Sequence, residues 1–203
     1  MNKIILNLGC GRTALKNAIN VDFSIHDCCD LKMDLSKFPW KWRNNSVDEI
    51  YMLYFLEHFD KDTVLAIFRE CHRVLKTSGL IHIQVPHYTS TIALTDLSHK
   101  TAFNINSFDL LEGGNYMFSK PIFQKELIKI NILETLIENN RYLNIDLDRT
   151  KILKSPHPFF RYFLHFPMII FQFLIDLSPL VFERFWCYYI GGAGEIIYRG
   201  RKV

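Results

Sequence analysis

The stretch IILNLGCGRTALKNAINVD, residues 4 to 22, constrains this chain more than any other. A short apolar run ends at Gly9-Cys10-Gly11, and a second, AINVD, ends on Asp22. Short apolar runs of this kind read as buried strands of a parallel sheet. Glycines at the end of the first let a ligand approach the backbone, and the N–H groups that follow suit a nucleotide-like partner. An acid at the end of the second strand is placed to accept hydrogen bonds from ribose hydroxyls.

The pattern continues downstream. DLKMDL (30 to 35) is a weaker third strand, and SVDEIYMLYFL (46 to 56) is a fourth, entered through the turn RNNS. From Asp60 to about Lys76, Val64, Phe68, Cys71 and Leu75 recur at helical spacing. Ser78-Gly79 is expected to end that helix, with glycine as the left-handed cap. LIHIQV (80 to 85) is a fifth strand, stopped by Pro86. Strands separated by short connections predict an α/β fold, a Rossmann-like, mostly parallel sheet sandwiched by helices.

After residue 86 the periodicity fades. Residues 87 to 120 are rich in Thr, Ser, Asn, His and Gly and read as a functional loop or lid. LIKINILETLI and YLNIDLDRTKIL are expected to add to the sheet around the turn ENNR. Residues 159 to 189 read as two apolar helices broken at Ser178-Pro179, and EIIYRGRKV as a closing strand. The expected organisation is one domain over 1–203. Residues 1–86 form a cofactor-binding half, 87–120 an acceptor loop or lid, and 121–203 complete the sheet and add the apolar helices.

With 203 residues, 49% of them hydrophobic, the chain can bury a substantial core. The net charge of +3 is mild and the basic residues are scattered, with only RGRK clustered near the end, which argues against a nucleic-acid partner. The five cysteines follow no metal-ligand spacing and no paired framework, and the vicinal pair in HDCCD has no second ligand cluster. An N-terminus that begins directly as a strand, without a signal peptide, adds to an expected cytoplasmic location. FFRYFLHFPMIIFQFLIDL (159 to 177) has an uncharged run of about 14 residues, short of the roughly 20 needed to span a bilayer. It reads as a buried helix, with peripheral membrane contact through an interfacial helix as the alternative.

Gly9, Gly11 and Ala14 satisfy G-x-G-x-x-A, so a nicotinamide or flavin dinucleotide must be weighed. Two features point elsewhere. The step from Gly9 to Asp22 is short beside the roughly 20 residues expected between a dinucleotide fingerprint and its acid, leaving room for only a stub of helix. A second acid, Asp34 in MDL, stands after the third strand, where it suits an adenine amine.

ILNLGCG, INVD, DL, FPW…NSVDEI, LEHF and ECHRVLKTSGLIHIQVP, taken in order over about residues 3 to 86, resemble the class I S-adenosylmethionine-dependent methyltransferases. The similarity is to the short bacterial branch with an L-E-H signature followed by R-V-L-K-P-G-G. PHYTS…DLSHKTAFNINSF and FERFWCYYIGGAGEIIYRGRKV resemble continuations in uncharacterised members. The resemblance implies S-adenosylmethionine as cofactor, with Asn7, Gly9, Cys10 and Gly11 at its methionine end and Asp22 on the ribose. It places Asp34 and Leu35 by the adenine, and Met52 to Tyr54 on the sulfonium side. Arg12 departs from the third glycine of many members, Thr77-Ser78-Gly79 from Pro-Gly-Gly, and Leu97 from a proline.

Methyl transfer from a sulfonium needs mainly alignment of acceptor and methyl group. A hydroxyl acceptor also needs a base, for which histidine is the usual choice near neutral pH. Three histidines are candidates. His58 in LEHF follows the fourth strand, His87 the fifth, and His99 lies three residues beyond Asp96, whose carboxylate is expected to orient it. His58 also reads as a turn residue capping the next helix. His87, Asp96 and His99 would make a plausible metal site, but the chemistry demands none and none is assigned. The expected acceptor is a small molecule or saccharide, because the 87–120 segment can hydrogen-bond a polyhydroxylated partner. A non-catalytic protein of the same fold, docking on a membrane surface or a larger enzyme, and an NAD-dependent Rossmann enzyme are the alternatives. The oligomeric state is not legible.

Overall fold

The computed structural model describes residues 3–25, 27–131, 172–173, 175–187 and 193–203. Seven strands form one sheet: β1 (Ile5–Leu8), β2 (Ile19–Asp22), β3 (Leu31–Lys32), β4 (Val47–Leu53), β5 (Leu75–Pro86), β6 (Phe123–Asn131) and β7 (Glu195–Lys202). Their order is β3-β2-β1-β4-β5-β7-β6. The pairs from β3 through β5 are parallel, and β7 runs antiparallel between β5 and β6. The order reverses direction at β1 and β4, so their C-terminal ends open the crevice in which α/β sheets of this kind bind ligands.

Helix α1 (Lys61–Val74) follows from its sequence. Asp60 caps it by accepting from the Thr63 amide, and Val64, Phe68 and Cys71 point into the core with Ile67 and Val74. Its end departs from expectation. The chain turns extended at Leu75 and runs directly into β5, so Gly79 is not its cap, and the left-handed residue is Ser78, at φ 63°. Val47 pairs with Leu75 but Glu49 with Leu80, so residues 76 to 79 loop out of the ladder. No helix forms between β1 and β2, where turns replace even the expected stub.

Residues alternate across the sheet as its pleat requires. Ile50 and Met52 join the large core with Leu6, Leu8, Ile81, Ile83 and α1, whereas Tyr51 and Leu53 pack with Leu15 and Ile197 in a second cluster. The segment expected as a loop or lid divides into two parts. Ser90 caps the short helix α2 (Thr91–Thr95), and the exposed Leu94 and Leu97 lie on this stretch. Beyond it, Phe103, Ile105, Phe108, Leu111 and Phe118 are buried. Phe108 stacks between Phe103 and Tyr198, at centroid distances of 5.9 and 4.9 Å. Burial of these aromatics fixes residues 103–118 to the domain.

LIKINILETLI enters the sheet through β6, and its end, like all of YLNIDLDRTKIL, lies outside the described residues. So does most of the apolar run 159–177. Residues 172–173 and 175–177 are helical, Ser178 interrupts, and α3 (Pro179–Val181) leads into a π-helical turn over Phe182–Trp186. Proline at the start of α3 fits there because that position needs no amide donor. Among the described residues no helix is long and apolar enough to cross a membrane.

Candidate active site

The glycine turn is built by β1 and β2 together. Gly9 and Gly11 are left-handed, at φ 67° and 50°, and the amides of Gly9 and Cys10 both donate to the Val21 carbonyl. Beneath the turn Asn7 is buried, and its Nδ2 donates to the Thr13 carbonyl at 2.8 Å and to Asn20 Oδ1 at 2.9 Å. Asn20 Oδ1 also accepts from the Leu15 amide, and Asp30 Oδ2 holds Asn20 through two further bonds. Asn7 thus shapes the loop from within. Asn20 and Asp30 were not singled out by the sequence reading, since polar residues within INVD and CCD carry no signal beyond their buried position.

Asp22 stands at the mouth of this turn. Its Oδ2 accepts from the Gly11 amide at 2.8 Å and its Oδ1 from the Ser24 amide at 3.1 Å. The two glycines differ in surroundings. A β-carbon on Gly9 would strike the Phe55 ring, whereas one on Gly11 would meet nothing within 4 Å. Space therefore opens at Gly11 beside the Asp22 carboxylate, and Arg12 is exposed on the rim. An open backbone cradle next to a carboxylate fits a ribose-bearing cofactor.

Other predicted cofactor residues are set out more widely. Cys10 is buried with its thiol on the Cys28 carbonyl, and burial pushes that thiol above its usual range, so it offers the site only its backbone. Asp34 is partly buried. Its hydrogen bonds from Ser36, with Lys37 beside it, hold its carboxyl below the usual range. Leu35 is buried and its carbonyl accepts the Trp40 indole N–H. Tyr54, left-handed at φ 53°, directs its hydroxyl to buried Glu195, which also accepts from Gln84 and Asn131 at 2.7 Å each. This anchors the end of β4 to β7.

Past Tyr54 the chain makes a 3₁₀ turn, Leu56–His58, which brings one group of candidate catalytic residues together. The His58 and His99 rings meet edge to face with centroids 5.0 Å apart. Nε2 of His99 lies 3.7 Å from Asp96 Oδ2, and Ser98 Oγ bonds both Asp96 Oδ1 at 2.6 Å and His58 Nδ1 at 3.0 Å. Burial, then the neighbouring His99, lowers the His58 pKa, and the Ser98 hydrogen bonds hold the Asp96 carboxyl below its ordinary value. Glu57 is buried against them, and desolvation pushes its carboxyl up to about 8. Glu57 and Ser98 escaped the sequence reading. Their only signal was position, one inside LEH and the other between Asp96 and His99.

His87 does not join this group. It is fully buried, Nδ1 bonds Thr89 Oγ1 at 2.7 Å, and Nε2 lies 3.0 Å from Glu183 Oε1. Glu183 also accepts the Ile105 amide, so His87 ties β5 to the π-helical turn and to the 103–118 segment. With both nitrogens engaged inside the protein, it is not placed to take a proton from an acceptor, nor does it meet Asp96 and His99 in a metal site.

Residues 8–83 match the family model described as a methyltransferase domain. Over that stretch the chain is similar to methyltransferase domains, and its fold is that of the class I S-adenosylmethionine-dependent methyltransferases. Its fold is shared with several solved methyltransferase structures. An S-adenosylmethionine-dependent methyltransferase from Archaeoglobus fulgidus aligns at TM-score 0.57 and 18% identity, over 98% of this chain and 86% of that one. One from Mesorhizobium loti aligns at 0.51 and 13%, over 99% and 91%. Haemonchus contortus phosphoethanolamine N-methyltransferase 2, in complex with S-adenosyl-L-methionine, aligns at 0.52 and 10%, over 100% of this chain and 49% of that protein. No curated protein matches the sequence. The match to a methyltransferase domain supports S-adenosylmethionine over a dinucleotide as the cofactor.

Proposed function

We propose that this methyltransferase acts on a hydroxyl of a small polar acceptor, a saccharide being the class best suited to the hydroxyl-rich 87–100 stretch. The observation that carries the reading is the His58–Ser98–Asp96–His99 cluster, set next in chain to the Phe55 ring that packs on the glycine turn. The bound cofactor supplies an activated methyl group. The protein's own share is to hold the acceptor in line and to weaken the hydroxyl's hold on its proton. His58 and His99 are the groups we assign to that second task, with Asp96 orienting both. Asp22 and the Gly11 cradle hold the ribose, Gly9 and the backbone of Cys10 face the methionine end, Asp34 and Leu35 border the adenine, and Tyr54 fixes the floor.

Isothermal titration with S-adenosylmethionine, followed by an assay of S-adenosylhomocysteine release across hydroxylated acceptors, tests this. Cofactor binding at sub-millimolar levels and turnover with a sugar or other polyol would support it. No cofactor binding would overturn the enzymatic reading, and turnover restricted to amines would overturn the hydroxyl assignment.

A second reading attaches to Phe173, Leu177, Leu180, Val181 and Phe185, all exposed large apolar side chains around Ser178. Such a row favours peripheral contact with a lipid surface. Co-sedimentation with liposomes would support it, and a chain left wholly in the supernatant would dismiss it.

A further inference from the structure

Glu57 raises a question that methyl transfer alone does not answer. Its side chain is 2% exposed, and neither carboxylate oxygen has a hydrogen-bond partner. Nδ1 of His99 is buried and unpartnered beside it. Buried polar atoms are nearly always paired, so three orphaned atoms at one spot mark a place where something else binds. Glu57, His58 and His99 each bring one ligand-capable atom to within 4.8 Å of the others.

We propose that Glu57, His58 and His99 bind a divalent transition-metal cation, with Zn²⁺ as the fitting ion. Two imidazoles and one carboxylate suit such a borderline ion, whereas Mg²⁺ and Ca²⁺ prefer all-oxygen sets. Zn²⁺ ligands lie about 2.0–2.2 Å from the metal, so the three side chains close slightly around it. The outer residues are already in place. Asp96 stands behind His99, and through Ser98 behind His58, the carboxylate–imidazole arrangement that orients metal-bound histidines. The backbone is fixed as well, because the Lys100 and Thr101 amides both donate to the Glu57 carbonyl. The histidine pair expected as a base thus becomes a pair of ligands, and the metal, absent from the sequence expectation, occupies a site that excludes His87.

Three protein ligands leave a coordination position open, as in catalytic zinc sites. That position takes an acceptor oxygen and makes its proton easier to lose. This last role rests on the hydroxyl-methylation reading, whereas the site itself does not.

The full chain, treated with chelator and dialysed, is titrated with Zn²⁺ by calorimetry and with Co²⁺ by visible absorption. We expect one ion per chain and ligand-field bands from Co²⁺. Glu57→Gln and His99→Asn should each weaken binding by at least about tenfold while S-adenosylmethionine affinity stays unchanged. Asp96→Asn, at an exposed side chain, should alter the Co²⁺ spectrum with the fold intact, so the test stands even if a Glu57 variant does not fold. Absence of binding, or binding indifferent to all three substitutions, overturns the site. Cofactor binding without the ion would sink the metal and leave the methyltransferase reading standing. Ion binding without cofactor binding would do the reverse.

Discussion

The ring of Phe55 lies so close to Gly9 that a β-carbon there would fall 2.1 Å from Cδ2, while Gly11, two residues on, faces open space. The two glycines of one motif therefore do different work. Gly9 joins the end of β1 to the turn after β4, and Gly11 keeps the cradle clear.

Alanine at the two positions should separate these roles. Phe55 is only 6% exposed and cannot swing away, so Gly9→Ala adds overpacking to a left-handed strain of about 1–3 kcal/mol. A large fall in melting temperature is expected. Gly11→Ala carries the same left-handed strain but meets no neighbour, so it should lose less stability than Gly9→Ala and should lose S-adenosylmethionine affinity. Equal melting temperatures for the two variants would contradict the distinction.

In the proposed site, Asp22 is the residue that couples the same turn to the ligand. Asp22→Ala removes the acceptor of the Gly11 and Ser24 amides as well as the expected ribose contact. Cofactor affinity should fall by about 1–3 kcal/mol, the usual cost of unpaired hydrogen-bonding groups. Calorimetric titration reads this directly, and undiminished affinity would remove Asp22 from the site.

How far the sequence showed this in advance depends on the kind of order involved. The parallel strands, α1 and the switch at the glycine turn were legible, because burial imposes a period on apolar residues. The end of α1 was not. Ser78-Gly79 looks like a cap, yet the chain was already extended at Leu75, where pairing with Val47 competes with the helix. The buried part of 87–120 was missed because Phe103, Phe108 and Leu111 follow no regular period. Of the histidines, spacing could pair His99 with Asp96 but could not tell that His58 joins them from 40 residues away, or that Glu183, 96 residues on, claims His87.

That claim predicts what His87 does. His87→Ala leaves the buried Glu183 carboxylate with only the Ile105 amide among its identified partners, and should cost about 1–3 kcal/mol of stability. The loss should appear in thermal or urea unfolding. Turnover per folded molecule should stay near that of the parent chain, and a selective loss of turnover at full stability would return His87 to the active site.

His99 should behave in the opposite way. Its substitution by alanine should leave S-adenosylmethionine affinity intact, since its identified contacts are with His58 and Asp96 rather than the glycine turn, and should lower turnover by roughly 10²–10⁴-fold, the share that easing proton loss from the acceptor contributes. Asp96→Asn should lower turnover less, because Ser98 still links its side chain to His58. Single-turnover kinetics with saturating cofactor would separate the effects, and unimpaired turnover in His99→Ala would exclude the cluster from catalysis.

The acid limit of stability should trace to Glu49. The His82 imidazole 3.6 Å away is the main influence holding its carboxyl down, opposed by burial and aided by Lys3 at 2.9 Å and the Tyr51 hydroxyl at 3.1 Å, with the pKa at about 2. In the unfolded chain the group titrates at its ordinary value of about 4.3. A folded pKa below the unfolded one means that the ionised form favours the native state. The contribution is therefore complete above the unfolded value and fades as pH falls from there through the folded one. Glu49→Gln should melt well below the parent chain at pH 7, and the gap should narrow steadily between about pH 5 and pH 2. Melting curves of both chains across that range decide it, and a gap that stays constant with pH would assign the loss to packing rather than to charge.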